Sequence, residues 1–253
     1  MSRWILKASR TRWIDFPDFY KAAFNVNGKR KFPDSLQVDK YLDTQKDLFS
    51  EVNWSVMYRF TLNENHNTHI LTNAAKYAEL YGKENVSQKL YGMFYVRTNK
   101  AGEAGDAAAF QNVLADVDKY SLADKTEQKK SFKKIFYMKT KDWSSFAAMV
   151  ADELTAQNFS DASVINEYCW TIYEKCDDAG VVTQAIGWMK HGIDKEPSYA
   201  NLDTYASLLF KGGQLDEAEK QAKLAIEKGK SEKAEVKGTE ELLVKIGSKR
   251  SAQ

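Results

Sequence analysis

The chain has 253 residues, 43% hydrophobic and 28% charged, which is enough apolar material to bury a sizeable core. With 3 Pro and 13 Gly it is too poor in turn residues for a loop-rich β-sandwich and reads as helical. A formal net charge of +2 makes no electrostatic case for a nucleic-acid partner, which would need a segregated basic face.

In chain order, residues 1–35 are the least regular. Trp4, Trp13, Phe16 and Phe24 supply aromatic weight, and Asn27-Gly28 and Phe32-Pro33-Asp34 are turn signals. The basic residues Arg3, Lys7, Arg10 and Arg12 leave a membrane-surface segment as one reading. An irregular cap over the first repeat's apolar edge is the preferred one. Trp4-Ile5-Leu6 is far short of the roughly 7–15 apolar residues of a signal peptide, and no window approaches the ~20 of a membrane span.

From Ser35 onward helical patterns alternate with short breaks. Leu36 to Phe49 predicts one helix and Trp54 to Leu62 a second, after which NENHNTH is expected to break the pattern. Ile70 to Tyr81 forms an amphipathic face that stops at Gly82. The helix begun near Val86 is expected to end in a flexible KAGEAGD loop, with Asp106 capping the next. Further starts are expected at Thr126, Asp142, Asp161 or Ser163, and Val181.

The most regular stretch is Asn201 to Gly229. Ala206, Ala218 and Ala225 fall where two helices of a hairpin must touch, and Gly213 sits at the turn between them. Second helices starting near Asp106, Asp142, Val181 and Leu215 recur at intervals of roughly 34–39 residues, the period of tetratricopeptide-like arrays. Overlaying the last two repeats pairs Ala185 with Ala218, Gly192 with Ala225 and, roughly, Gly180 with Gly213. A single hairpin cannot bury its apolar face alone, so stacking supplies the core. The expected fold is all-α: a right-handed solenoid of tetratricopeptide-like helix hairpins over residues 36–247, followed by a final capping helix through Leu242 and Ile246 and a disordered tail at 248–253.

The segments NEYCWTIYEKCDD (166–178), YANLDTYASLLFKGGQLDEAEKQAKLAIEKG (199–229) and NW…YAELYGKENV (53–86) resemble a known helical region. It is the tetratricopeptide-like region that follows the thioredoxin-fold domain in thioredoxin-family proteins of Bacteroidetes-type bacteria. The resemblance covers roughly residues 36–247. It implies an accessory or interaction region associated with a thioredoxin-fold partner, in the periplasm or cell envelope if an export signal lay upstream, and in the cytoplasm if Met1 is the true start. That family's redox chemistry resides in a CxxC motif. Cys169 and Cys176 are seven apart, about 10 Å along one helix, too far to pair there, and read as packed thiols.

No catalytic constellation is present. GxSxG and phosphate-loop patterns are missing, no SxxK stands with its supporting motifs, and acid pairs such as Asp177-Asp178 and Asp216-Glu217 stand at helix starts, where the macrodipole favours them. His66 and His69, with Glu64 able to add a carboxylate, are the best metal candidates, but no further ligand or supporting shell is evident and an exposed polar turn is the preferred reading. The expectation is therefore no enzyme activity, no metal and no cofactor.

If the helix around Asn166 to Lys175 packs through Cys169, Ile172, Tyr173 and Cys176, then Trp170 and Glu174 point elsewhere. In a repeat array that direction is the inner groove, and Asp203, Thr204, Ser207, Phe210 and Lys211 hold the matching positions in the next repeat. Trp170, Glu174, Asp203, Ser207, Phe210 and Lys211 are thus the candidate partner-binding residues. The expected function is a non-catalytic scaffold for a protein or peptide partner, with oligomeric state open. The alternative is a small-ligand or glycan-binding helical protein of the cell envelope, drawing on the 13% aromatic content.

Overall fold

The computed structural model describes residues 35–252. Apart from Ser35, the expected N-terminal cap lies outside them. The described residues are all-helical, with no strand. The helices are α1 (Ser35–Asp43), α2 (Glu51–Arg59), α3 (Glu64–Thr72), α4 (Ala74–Tyr81), α5 (Lys83–Ala104), α6 (Ala107–Tyr120), α7 (Lys125–Thr140), α8 (Trp143–Ala156), α9 (Ala162–Lys175), α10 (Ala179–Lys195), α11 (Tyr199–Lys211), α12 (Leu215–Glu232) and α13 (Lys237–Ser251). None is long and apolar enough to cross a membrane. The chain divides into two compact units, Met1–Lys100 with Ala107–Phe132, and Ala101–Asp106 with Lys133–Gln253.

In the first unit, α1 stops at Asp43, and Phe49 belongs to the following loop rather than to one long helix. That loop is fixed by aromatics. Trp54 stacks on Tyr77 and Tyr81 with ring centroids 4.9 and 5.4 Å away. The Tyr77 hydroxyl donates to Leu48 O at 3.0 Å, and the Tyr81 hydroxyl donates to Phe49 O. The NHNTH stretch is helical, correcting the expected break. Asn63 caps α3 by accepting from His66 N at 3.0 Å, which leaves the actual break at residues 60–63. Asparagine's preference for the N-cap explains how a polar run can open a helix.

The second unit is built from successive helix pairs. Trp143, Phe146 and Val150 of α8, Ile165, Cys169 and Ile172 of α9, and Val182, Ala185 and Met189 of α10 form one core. Ala206, Leu209, Ala218, Ala222, Leu242 and Ile246 of α11, α12 and α13 form the next. Asp142, Asp161, Asp178 and Ser198 cap α8 to α11 with their side chains. Helix α11 packs on α9 and α10 as well as on α12, and α12 packs on α13.

Helices α6, α8, α10 and α12 begin at Ala107, Trp143, Ala179 and Leu215, equally spaced along the chain. Ala185, Ala218 and Ala225 are fully buried and Gly192 is buried, so both members of each pair lie in the interior. The Gly180–Gly213 pairing differs. Gly213 turns the chain with φ +78°, whereas Gly180 lies inside the first turn of α10 and the preceding link has no positive-φ glycine. Two further expectations are corrected. Gly102 and Glu103 lie in the last turn of α5, not a flexible loop, with Glu103 Oε1 accepting from Lys139 Nζ at 2.8 Å. Residues 248–251 are not a disordered tail but the end of α13, where Arg250 bonds both Asp216 and Glu219 at 2.5 Å.

Candidate functional site

The site is built on α9. Asp161 accepts from Ser163 N and Val164 N and so starts the helix, and burial of Ile165, Cys169 and Ile172 then fixes its rotation. At 3.6 residues per turn, that inward stripe leaves Glu167, Trp170 and Glu174 on one outward face, spaced i, i+3 and i+7. Trp170 is 36% exposed, and Glu167 and Glu174 are exposed. The Trp170 ring tilts against Tyr173, centroids 5.1 Å apart.

Lys211 of α11 reaches the end of α9. Its Nζ donates to Tyr173 O at 2.7 Å and lies 3.3 Å from Asp177 Oδ1. The ammonium thereby satisfies one of the carbonyls that every helix C-terminus leaves unpaired. Its charge is used within the fold. Neither Glu167 nor Glu174 has a cationic partner among the described residues, so the outward face of α9 is an aromatic ring beside two uncompensated carboxylates.

The six candidate residues are not equivalent. Trp170 and Glu174 are exposed together, and Lys211 closes their helix from the neighbouring hairpin. Asp203 is half-buried and accepts from Thr239 Oγ1 of α13 at 2.5 Å, and Thr239 Oγ1 is in turn 3.0 Å from Tyr199 Oη. Burial pushes the Asp203 carboxyl above its ordinary range, against the Thr239 hydrogen bond. Phe210 is half-buried beneath Lys249, whose Nζ lies 5.0 Å from the ring centroid. Ser207 is 4% exposed, which corrects its assignment to a ligand-facing surface. Helix α13 also lays Leu242 and Ile246 beside Ala206 and Leu209, and through Thr239 and Lys249 it engages Asp203 and Phe210.

Glu167 was not among the candidates, although its spacing from Trp170 was readable from the sequence. A polar cluster at the α7–α8–α9 junction had no such signal. Lys134 Nζ lies 3.1 Å from Glu153 Oε2 and donates to Tyr168 Oη, which donates to Glu153 Oε1 at 3.0 Å. Burial opposes the Lys134 charge, yet its bonds to Tyr168 and Glu153 carry the pKa above the ordinary value. The three groups satisfy one another and tie three helices.

The two histidines bond different partners. His66 is buried, with Nδ1 2.9 Å from Asp39 Oδ1 and Nε2 3.3 Å from Asp43 Oδ1, carboxylates on opposite sides of the ring that cannot converge on one ion. His69 Nε2 lies 3.1 Å from Tyr77 Oη, and burial, then the charges of His66 and Lys76, lower its pKa. No group of three or more His, Cys, Asp or Glu side chains among the described residues is placed to hold a metal. The thiols of Cys169 and Cys176 are buried and free, and burial raises both above the range of a reactive thiol. Comparison of the chain with protein-family models, with curated proteins and with solved structures returns no match.

Proposed function

We propose that the chain is a non-catalytic helical-repeat scaffold, a right-handed stack of tetratricopeptide-like hairpins that binds a protein or peptide segment on the outward face of α9. The repeat reading is supported by the equal spacing of α6, α8, α10 and α12 and by the packing of α11 on both helices of the preceding hairpin. The observation that carries the binding reading is Trp170, a large aromatic held 36% exposed on a rigid helix. Exposed indoles on fixed elements are the residues most often found anchoring interfaces. The resemblance to thioredoxin-associated regions adds a thioredoxin-fold protein as the proposed class of partner.

Affinity capture with the wild-type chain, Trp170→Ala and Leu224→Ala tests this. Leu224 is also exposed but lies on α12, away from the α9 face, and serves as the control. Proteins retained by the wild type and the control but lost from Trp170→Ala support the reading. Identical retention by all three sinks it.

A further inference from the structure

The chemistry of the α9 face narrows what it can hold. Trp170 offers an indole, whose electron-rich face attracts cations, Arg more often than Lys. Glu167 and Glu174 flank it on the same side of the helix, and Asp177, its side chain 99% exposed, lies just beyond the end of α9 in extended chain. Lys211, which reaches this end of α9 from α11, is 21% exposed and already bonded to Tyr173 O and Asp177, and exposed Lys175 stands about 100° round the helix from Glu174. An acidic segment or a free C-terminal carboxylate approaching here would meet like charge. A neutral apolar segment would strip water from two carboxylates without replacing it.

Resting on the reading that this face is the binding surface, we propose that its partner is an arginine-bearing peptide segment. A guanidinium stacks on the Trp170 indole while its N–H groups bond the Glu174 or Glu167 carboxylate. The planar donor fork satisfies both contacts at once, which an ammonium point charge does not. An aliphatic side chain next to that arginine packs on the Tyr173 ring edge. The chemistry is opposite in sign to a carboxylate clamp: here the scaffold supplies the acids and the partner the base.

The test is calorimetric titration of the full chain with two acetylated, amidated pentapeptides, one with arginines either side of a central leucine, the other with glutamates in those places. The wild type is expected to bind the arginine peptide, more weakly as salt rises, and not the glutamate peptide. Trp170→Ala is expected to lower affinity by about tenfold or more. The double variant Glu167→Lys/Glu174→Lys changes exposed positions only, so its fold is kept, and it is expected to lose the arginine peptide and gain the glutamate one. No binding of the arginine peptide by the wild type, equal binding of the two peptides, or affinity unchanged in the double variant overturns the inference. If captured proteins depend on Trp170 but the arginine peptide does not bind, the scaffold reading stands and the cation inference alone falls. If capture is indifferent to Trp170, the scaffold reading fails with it.

Discussion

Lys89 shows how a single residue's surroundings set its chemistry. It is half-buried on α5, and its Nζ donates to Phe60 O at 2.8 Å. Burial lowers its pKa from 10.5 to about 8. Between about pH 8 and 10.5 the unfolded chain therefore binds more protons than the folded one, so this residue's contribution makes stability rise with pH across that interval. Below about pH 8 the cost of the buried charge is present in full. Tyr58, Tyr77 and Tyr81, all pushed above their ordinary value of 10.0 by burial, act the other way above that pH, because the unfolded phenols ionise first. In urea melts at about pH 7.5 and 9.5, Lys89→Met should lose a rise of about 1 kcal/mol that the wild type shows, after discounting for partial exposure. An unchanged difference between the two melts would show that the ammonium is solvated. Nothing in the sequence marked Lys89, because a lone lysine in an amphipathic pattern reads as solvated face. Trp170 and Glu174 were legible because their neighbours' periodicity fixed the inward stripe. Ser207 was not, because nothing in its spacing from Asp203 and Phe210 set its burial apart from theirs.

At the scale of the element, the caps and turns were legible and the helix interiors between them followed. Asp142 and Asp161 cap where aspartate before an apolar run predicts. Among the exceptions, α3 had its Asn63 cap hidden inside a run of polar residues that masked the helix behind it, and the glycines of KAGEAGD and Gly180 suggested breaks where the chain is helical at Gly102 and Gly180. Close approaches are the part a linear pattern cannot show. Gly229, at the end of α12, has no room for a side chain: a Cβ there would lie 2.4 Å from Val236 Cγ1 and 2.8 Å from Tyr199 Cδ2. Gly229→Ala should cost about 1–3 kcal/mol through overpacking, despite alanine's better helix propensity, and thermal melting reads it directly. Ala218→Leu, at a fully buried position facing the core of α11 to α13, should cost a similar ~1–3 kcal/mol. A neutral result at Ala218 would mean the helix pair is not in the register described.

At the scale of the whole molecule, the even spacing of helix starts was legible because period needs no knowledge of tertiary contacts. The engagement of Asp203 and Phe210 by α13 was not, since it depends on where a later helix lands. Helix α13 covers Ala206 and Leu209 with Leu242 and Ile246, holds Asp203 through Thr239, and pins its own end through Arg250 to Asp216 and Glu219. Helix α13 thus shields apolar surface of α11 and α12 from water. A chain ending at Glu235 should therefore melt several degrees lower and bind a hydrophobic dye that the full chain excludes, as roughly expected for a lost buried face. An unchanged melt would assign α13 to no structural role.

The cysteine on α9 gives the fold a clock. The Cys169 thiol is fully buried and donates to Ala185 O of α10 at 3.4 Å, so no reagent reaches it while α9 and α10 stay together. Cys176, also buried, sits one position beyond the end of α9, where helices fray first. Labelling by a thiol-reactive dye should proceed in two phases, with Cys176 modified early and Cys169 only as fast as the pair of helices parts. Single-cysteine variants assign the phases, and a single fast phase would mean that the hairpin breathes as one. The slow phase times the opening of the element that carries Trp170, and does so in the native protein without any introduced probe.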